Sequence, residues 1–206
     1  MNITNAFNVT SSQTLKNRLC KSAMTEGVAD KNSFCNKRHE NLYKTWANGG
    51  IGLSISGNVQ VDRRYMEGPG NIAIEENTYK EQLDSLKKWA NAGRQNATEF
   101  WMQISHAGRQ TPQTLSNEPL APSSVQLKIP GKAYGVPKEM SEEDIQDVIK
   151  RFVFVSKVAK KVGFTGIQLH SAHGYLLSQF LSPDINQRTD SWGGSIDGRS
   201  KLLLTI

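Results

Sequence analysis

Four short apolar segments, each followed by a stretch with helical periodicity or helix signals, limit most narrowly how this chain can fold. The segments are RLCKSAM (18–24), IGLSISGNV (51–59), ATEFWMQIS (97–105) and TGIQLHSA (165–172), each rich in the residues that suit a pleated strand. A helix is predicted over 35–48, stopped at Asn48, Gly49 and Gly50, where glycine can take up a left-handed turn. From Tyr79, the positions Leu83, Leu86 and Ala90, with Trp89 beside them, mark one face of a helix ending near Gly93. The clearest helix starts at Ser141, whose hydroxyl is placed to accept from the Asp144 amide, with Met140 and Ile145 as a hydrophobic staple. Ile145, Val148, Ile149, Phe152, Val155, Ala159 and Val162 carry its apolar face to Gly163. A short helix to Leu181, a polar loop to Gly194 and a last helix from Ser195 complete the pattern.

Strands alternating with helices imply a parallel sheet covered by helices. No GxGxxG follows any of the four strands and there is no GxxxxGK[ST], which weighs against a dinucleotide-binding doubly wound sheet and a P-loop enzyme. The remaining repeated architecture is α/β of the TIM (β/α)8-barrel type, in which chemistry sits at the carboxyl ends of the strands. Thr25, Gly57, Gln103 and His170 are expected at such ends. A full barrel takes about 250 residues, so the 206 residues are read as a single portion of a barrel holding four βα units. Between them, 62–77 reads as a loop, and 106–140, with five prolines and three glycines, as a long irregular segment of the kind that carries function.

Composition narrows the partners. The 25 basic against 19 acidic residues give +6, but they are spread along the chain, which argues against nucleic acid. No apolar run reaches the roughly 18 residues needed to span a bilayer. The opening MNITNAFNVTSS lacks the basic and apolar parts of a secretory signal, so a cytoplasmic location is expected. Cys20 and Cys35 lack CxxC spacing and read as ordinary thiols.

The chemistry concentrates in LHSAHGYLLSQFLSP (169–183), which holds two of the four histidines at the mouth of a strand with a tyrosine close behind. HxxH alone is a weak signal, and no HExxH or cysteine pair supplies a third ligand, so no metal is expected. Two adjacent imidazole N–H groups, His170 and His173, suit a carbonyl oxygen on which negative charge develops. Tyr175 suits the proton such an anion then needs, with packing against Phe180 as its alternative reading. Residue types alone leave the electron source open.

LHSAHGYLLSQFLSPDINQRTDSWGGSIDGR (169–199) resembles the signature segment of the old yellow enzyme family, the FMN-dependent NAD(P)H:flavin oxidoreductases. LKNRLCKSAMTEG, GGIGLSISG and WMQISHAGRQ agree with that family in order and spacing, so the resemblance runs through essentially the whole chain. It implies FMN lying across the carboxyl end of the barrel and NAD(P)H as reductant. Ala23, Met24 and Thr25 would line the flavin, Thr25 tuning its potential. Gly57 would leave room beside the ring, Gln103 would pair with its pyrimidine edge, and His170 would also meet the cofactor site. His170 and His173 would hold an α,β-unsaturated carbonyl substrate, which takes hydride from flavin N5 at the β-carbon and a proton from Tyr175 at the α-carbon. Thr25, Gly57 and Gln103 also have plain readings, as a strand-edge threonine, a turn glycine and a capped strand end. His106 and Arg109 match the family and are expected to be structural.

Ala23 stands where that family often has proline, and Gln168 where glutamate is common. The arginine that meets the flavin and the phosphate-binding loops belong, by the resemblance, to strands five, seven and eight, with no counterpart in these residues. Two outcomes are therefore expected: an ene-reductase completed by a complementary carboxyl-terminal half, or a catalytically incompetent half barrel that self-associates through its unpaired edges.

Overall fold

The computed structural model describes residues 2–206. The chain divides into two compact units, Met1–Val59, Gly70–Gln103 and Ser156–Gln168 in one, and Gln60–Pro69, Ile104–Val155 and Leu169–Ile206 in the other. The strands are β1 (Phe7–Asn8), β2 (Thr14–Leu15), β3 (Cys20–Lys21), β4 (Leu53–Ile55), β5 (Val59–Gln60), β6 (Glu99–Ser105), β7 (Leu120–Ala121), β8 (Lys138–Glu139) and β9 (Gly166–Leu169). The α-helices are α1 (Lys37–Asn48), α2 (Tyr79–Gly93), α3 (Glu142–Val162), α4 (Leu176–Leu181) and α5 (Ile196–Thr205). The order is that of four βα units with two small ribbons added.

In the first unit β3, β4 and β6 run parallel, with Cys20 opposite Leu53 and Leu53 opposite Glu99. β9 also pairs with β6: the Thr165 amide donates to the Phe100 carbonyl at 2.9 Å and the Phe100 amide donates to Thr165 Oγ1 at 2.9 Å. Buried on both faces, such strands read as apolar runs without alternation. The core here is aromatic. Trp89 of α2 meets His39 and Tyr43 of α1 and Phe100 of β6 at 5.5, 5.5 and 5.6 Å, and Phe164 at 5.1 Å, all edge-on. α1 opens with a capping box in which Asn36 accepts from the Arg38 amide at 2.9 Å and His39 Nδ1 accepts from the Asn36 amide at 3.2 Å. Its end agrees with the sequence: the helix stops at Asn48, Gly49 caps with right-handed angles, and Gly50, at φ +91°, makes the left-handed turn.

Two strand boundaries differ from expectation. The second strand is broken in two because the Gly57 amide donates to Glu26 and to Tyr43 instead of to a neighbouring strand. The third begins at Glu99, because Asn96 and Ala97 hold left-handed φ values of 53° and 52° that no strand accommodates.

In the second unit, the end of β6 receives two further bonds, from the Val61 amide to Ser105 O at 3.0 Å and from the His170 amide to Ile104 O at 2.9 Å. The loop at 62–77 contains one 3-10 turn, Arg63–Tyr65, capped by Asp62. The long irregular segment is folded onto itself by the β7–β8 pair and by Arg188, which donates to Pro122 O and Met140 O at 3.1 and 2.6 Å. α3 begins as its sequence implies: the Asp144 amide donates to Ser141 Oγ at 3.2 Å, and the Ser141 amide donates to Asp144 Oδ2 at 3.0 Å. Ser141→Ala is expected to cost about 1 kcal/mol of stability, measured as a lower urea midpoint at unchanged slope.

Cys20 and Cys35 are free thiols, and Cys35, buried, has its pKa pushed up to about 12 by burial. Among the described residues, no helix is long and apolar enough to cross a membrane.

Candidate active site

The second unit brings His170, His173 and Tyr175 together directly after β9. The His170 ring lies 5.3 Å from that of His173 at 80° and 4.9 Å from that of Tyr175 at 83°. His170 is buried, and its Nδ1 accepts from the Ala172 amide at 3.4 Å, which leaves Nε2 as the donating nitrogen of a neutral ring. Burial lowers its pKa, the neighbouring His173 lowers it further, and Glu67 opposes both. The reversal between the two histidines depends on left-handed backbone at His173 (φ 57°) and Gly174 (φ 75°). Gln110 Nε2 ties that reversal down by donating to His173 O at 2.5 Å, and it would lie 2.8 Å from any Cβ added at Gly174.

Tyr175 is the residue that opens α4, extended at φ −76° and ψ 175°. The start of that helix is held by the Leu176 amide on His106 O at 3.0 Å and by Gln179, whose Nε2 donates to Gly174 O at 2.7 Å and whose Oε1 accepts from the Arg109 amide at 3.2 Å. Only 9% of Tyr175 is exposed. Burial first, then the charge of Glu67 and its hydrogen bond, push the phenol well above its ordinary range. Nothing in the sequence singled out Glu67. It lies over a hundred positions from Tyr175, in a loop with no periodic signal.

His106 and Arg109 lie in the same unit as this cluster. His106 is wholly buried, its Nδ1 accepts from the Gly108 amide at 3.0 Å, and its ring lies 5.3 Å from that of Tyr65. Burial lowers its pKa to about 4. Arg109 donates to Val125 O at 3.0 Å. Asp62 anchors the 60–69 segment through Arg64, which approaches its carboxylate at 2.6 Å, and through Arg151 at 3.5 Å. Burial alone would raise the Asp62 pKa, but Arg64, His106 and Arg151 hold it below the usual carboxylate range. A carboxyl with a lowered folded pKa contributes stability that is present above its ordinary value and lost as pH falls through the folded one. Acidification from about pH 5 to about pH 3 is therefore expected to lower the urea midpoint less in Asp62→Asn than in the parent.

The first unit holds the other expected residues. Ala23 packs against the cluster of Leu15, Leu53 and Ile55 beside Trp101. Met24 is 53% exposed, and Thr25 is exposed with its hydroxyl 3.4 Å from Asn58 Nδ2. Gly57 meets a tight requirement of its own: an added Cβ would stand 2.1 Å from Glu26 Oε2 and 2.4 Å from Met24 O. Gln103 lies inside β6, two residues before its carboxyl end, as the 97–105 segment implies. Its amide donates to Ser56 Oγ at 2.9 Å and its Nε2 to Gln168 Oε1 at 2.8 Å. Among the described residues, no three His, Cys, Asp or Glu side chains gather as a metal set.

Residues 6–206 match the family described as NADH:flavin oxidoreductase / NADH oxidase. The chain is 34% identical over 208 residues to the NADH-dependent flavin oxidoreductase iliE of Hypocrea jecorina, covering 94% of this chain and 52% of that protein. It is 35% identical over 197 residues to an NADH oxidase of Thermoanaerobacter brockii, covering 93% of this chain and 29% of that one. It thus spans about half, or less, of the length of these relatives. Among solved structures, a 2-naphthoyl-CoA reductase superposes with a TM-score of 0.90 at 26% identity, over 99% of this chain and 32% of that chain. An old yellow enzyme homologue from Zymomonas mobilis superposes at 0.87 with 24% identity, over all of this chain and 58% of that chain, a likeness of fold. The fold is that of the (β/α)8 barrel, represented here by four βα units. A match running from residue 6 to the last residue places this chain in the NADH:flavin oxidoreductase / NADH oxidase family.

Proposed function

We propose that the protein is an NAD(P)H-dependent ene-reductase that uses FMN, and that His170, His173 and Tyr175 carry the substrate half of its chemistry. The observation that carries this reading is the convergence of those three rings at the carboxyl end of β9. The activity is that of a complete eight-unit barrel, to which this chain supplies four units.

When bound, FMN supplies a two-electron donor that NAD(P)H regenerates. The first unit offers groups that fit it: the exposed thioether of Met24, the exposed hydroxyl of Thr25 and the carboxamide of Gln103, held in orientation by Gln168. Ala23 and Gly57 contribute main chain. On the substrate side, His170 and His173 donate to the oxygen of an α,β-unsaturated carbonyl and stabilise the negative charge that gathers there. Tyr175 gives its proton to the α-carbon. The two free cysteines fit a reducing compartment, and we place the protein in the cytoplasm on that ground.

The test is direct. The purified protein is titrated with FMN, followed by quenching of flavin fluorescence, and then given NADPH and a cyclic enone. A protein that binds no flavin, or binds it and leaves the enone unreduced, ends the proposal. In a protein that does bind, His170→Ala is expected to weaken a phenolic ligand by about tenfold, read from its optical titration.

A further inference from the structure

We propose that Lys21, Tyr43 and Glu26 are positioning residues: together they clamp the segment 22–25 to α1 and to the end of β4, and the holding of FMN by that segment depends on the clamp. The inference rests on the reading that residues 23–25 line FMN. That segment has no regular structure, and Met24 and Thr25 are exposed. Its two flanks supply the order it lacks.

On one flank, Lys21 Nζ donates to Tyr43 Oη at 3.1 Å and to Ile55 O at 2.8 Å, and it lies over the rings of Tyr43 and Trp46 at 4.9 and 4.5 Å. On the other, Glu26 Oε1 accepts from the Tyr43 hydroxyl and from the Gly57 amide, the latter at 2.8 Å. The Tyr43 hydroxyl also accepts from the Gly57 amide at 3.1 Å. One fully buried phenol therefore joins a cation, an anion and a strand end, inside a shell formed by Trp46, Trp89 and Phe100.

Stability alone is a poor reason for such a set. Apolar residues of similar volume would hold α1 against the sheet as well or better, because removing charges from water costs several kcal/mol per ion. What a charged, hydrogen-bonded set adds is direction. Gly57 gives independent support, since its missing Cβ is the space into which the Glu26 carboxylate fits.

The clamp also has a pH range. Burial lowers the Lys21 pKa to about 8, with Glu26 and Cys20 opposing. Burial, then the charge of Glu26, push Tyr43 far above its ordinary value, and burial raises the Cys20 thiol and keeps His39 neutral, so Lys21 is the group that changes. As pH rises through about 8, Lys21 loses its charge and with it the attraction to Glu26. Global stability moves the other way: a lysine whose folded pKa is lowered binds fewer protons folded than unfolded there, so its contribution to stability rises with pH. A residue that only supported the fold would move affinity and stability together.

The experiment is an FMN titration at about pH 7 and about pH 9 on the parent, Lys21→Met, Glu26→Gln and Tyr43→Phe, with Ser141→Ala as a control for stability alone. Alongside it, amide exchange of residues 22–27 is followed in the flavin-free proteins. We expect Glu26→Gln and Lys21→Met to weaken FMN by about tenfold at the lower pH and to speed exchange in 22–27. The parent should lose affinity at the higher pH while Lys21→Met stays flat. Ser141→Ala should keep the parent's affinity. Variants that bind FMN within about twofold of the parent, keep its pH profile and leave exchange unchanged overturn the clamp. A parent that binds no FMN removes the flavin reading instead, and the exchange rates then decide the clamp: faster in the variants supports it, unchanged sinks it.

Discussion

Tyr175→Phe is expected to slow the reduction of an enone by about 100- to 10,000-fold, the usual worth of a positioned proton donor, while reduction of the bound flavin by NADPH keeps nearly its parent rate. The asymmetry follows from the chemistry, because the phenolic proton is needed only when the α-carbon must be protonated. Phenylalanine keeps the ring that lies edge-on to His170 at 4.9 Å, so the imidazole pair should stay in place. Rapid mixing separates the two halves of the cycle. Equal losses in both would remove Tyr175 from the role of proton donor and leave it as packing for α4.

The largest effect on stability is expected at Trp89. Its indole is fully buried among His39, Tyr43, Phe100 and Phe164. Trp89→Ala should cost about 3–5 kcal/mol, the range for deleting a large aromatic side chain from a close-packed core. Trp89→Phe should lose much less: it keeps most of the volume and also removes an indole N–H that has no hydrogen-bond partner among the described residues. Urea unfolding of both variants checks the pair. Similar losses in the two would mean that the indole itself, rather than the filled volume, holds α1 and α2 on β6.

What was legible in the chain was local. The start of α3 could be read because its cap, its acidic first turn and its staple all lie between Met140 and Ile145. The end at Gly163, which takes φ +105°, was readable for the same reason. The two histidines and the tyrosine fall within six residues, so a strand end followed by a turn was enough to bring them together. Features made by distant partners were hidden. The β1–β2 and β7–β8 ribbons pair only two residues each and leave no periodic pattern. The break at Gly57 reflects Glu26 and Tyr43, 31 and 14 positions away. Glu67 reaches Tyr175 from a loop whose path the sequence left undefined.

The left-handed backbone at His173 limits how this loop can change. An ordinary side chain in that region costs roughly 1–2 kcal/mol, and asparagine pays least among residues that still carry an N–H donor. Position 173 thus filters its occupants twice, by conformation and by hydrogen bonding. A library of variants there should retain function chiefly as asparagine, while alanine, leucine or valine forfeits the donor and the fit of the loop in one substitution.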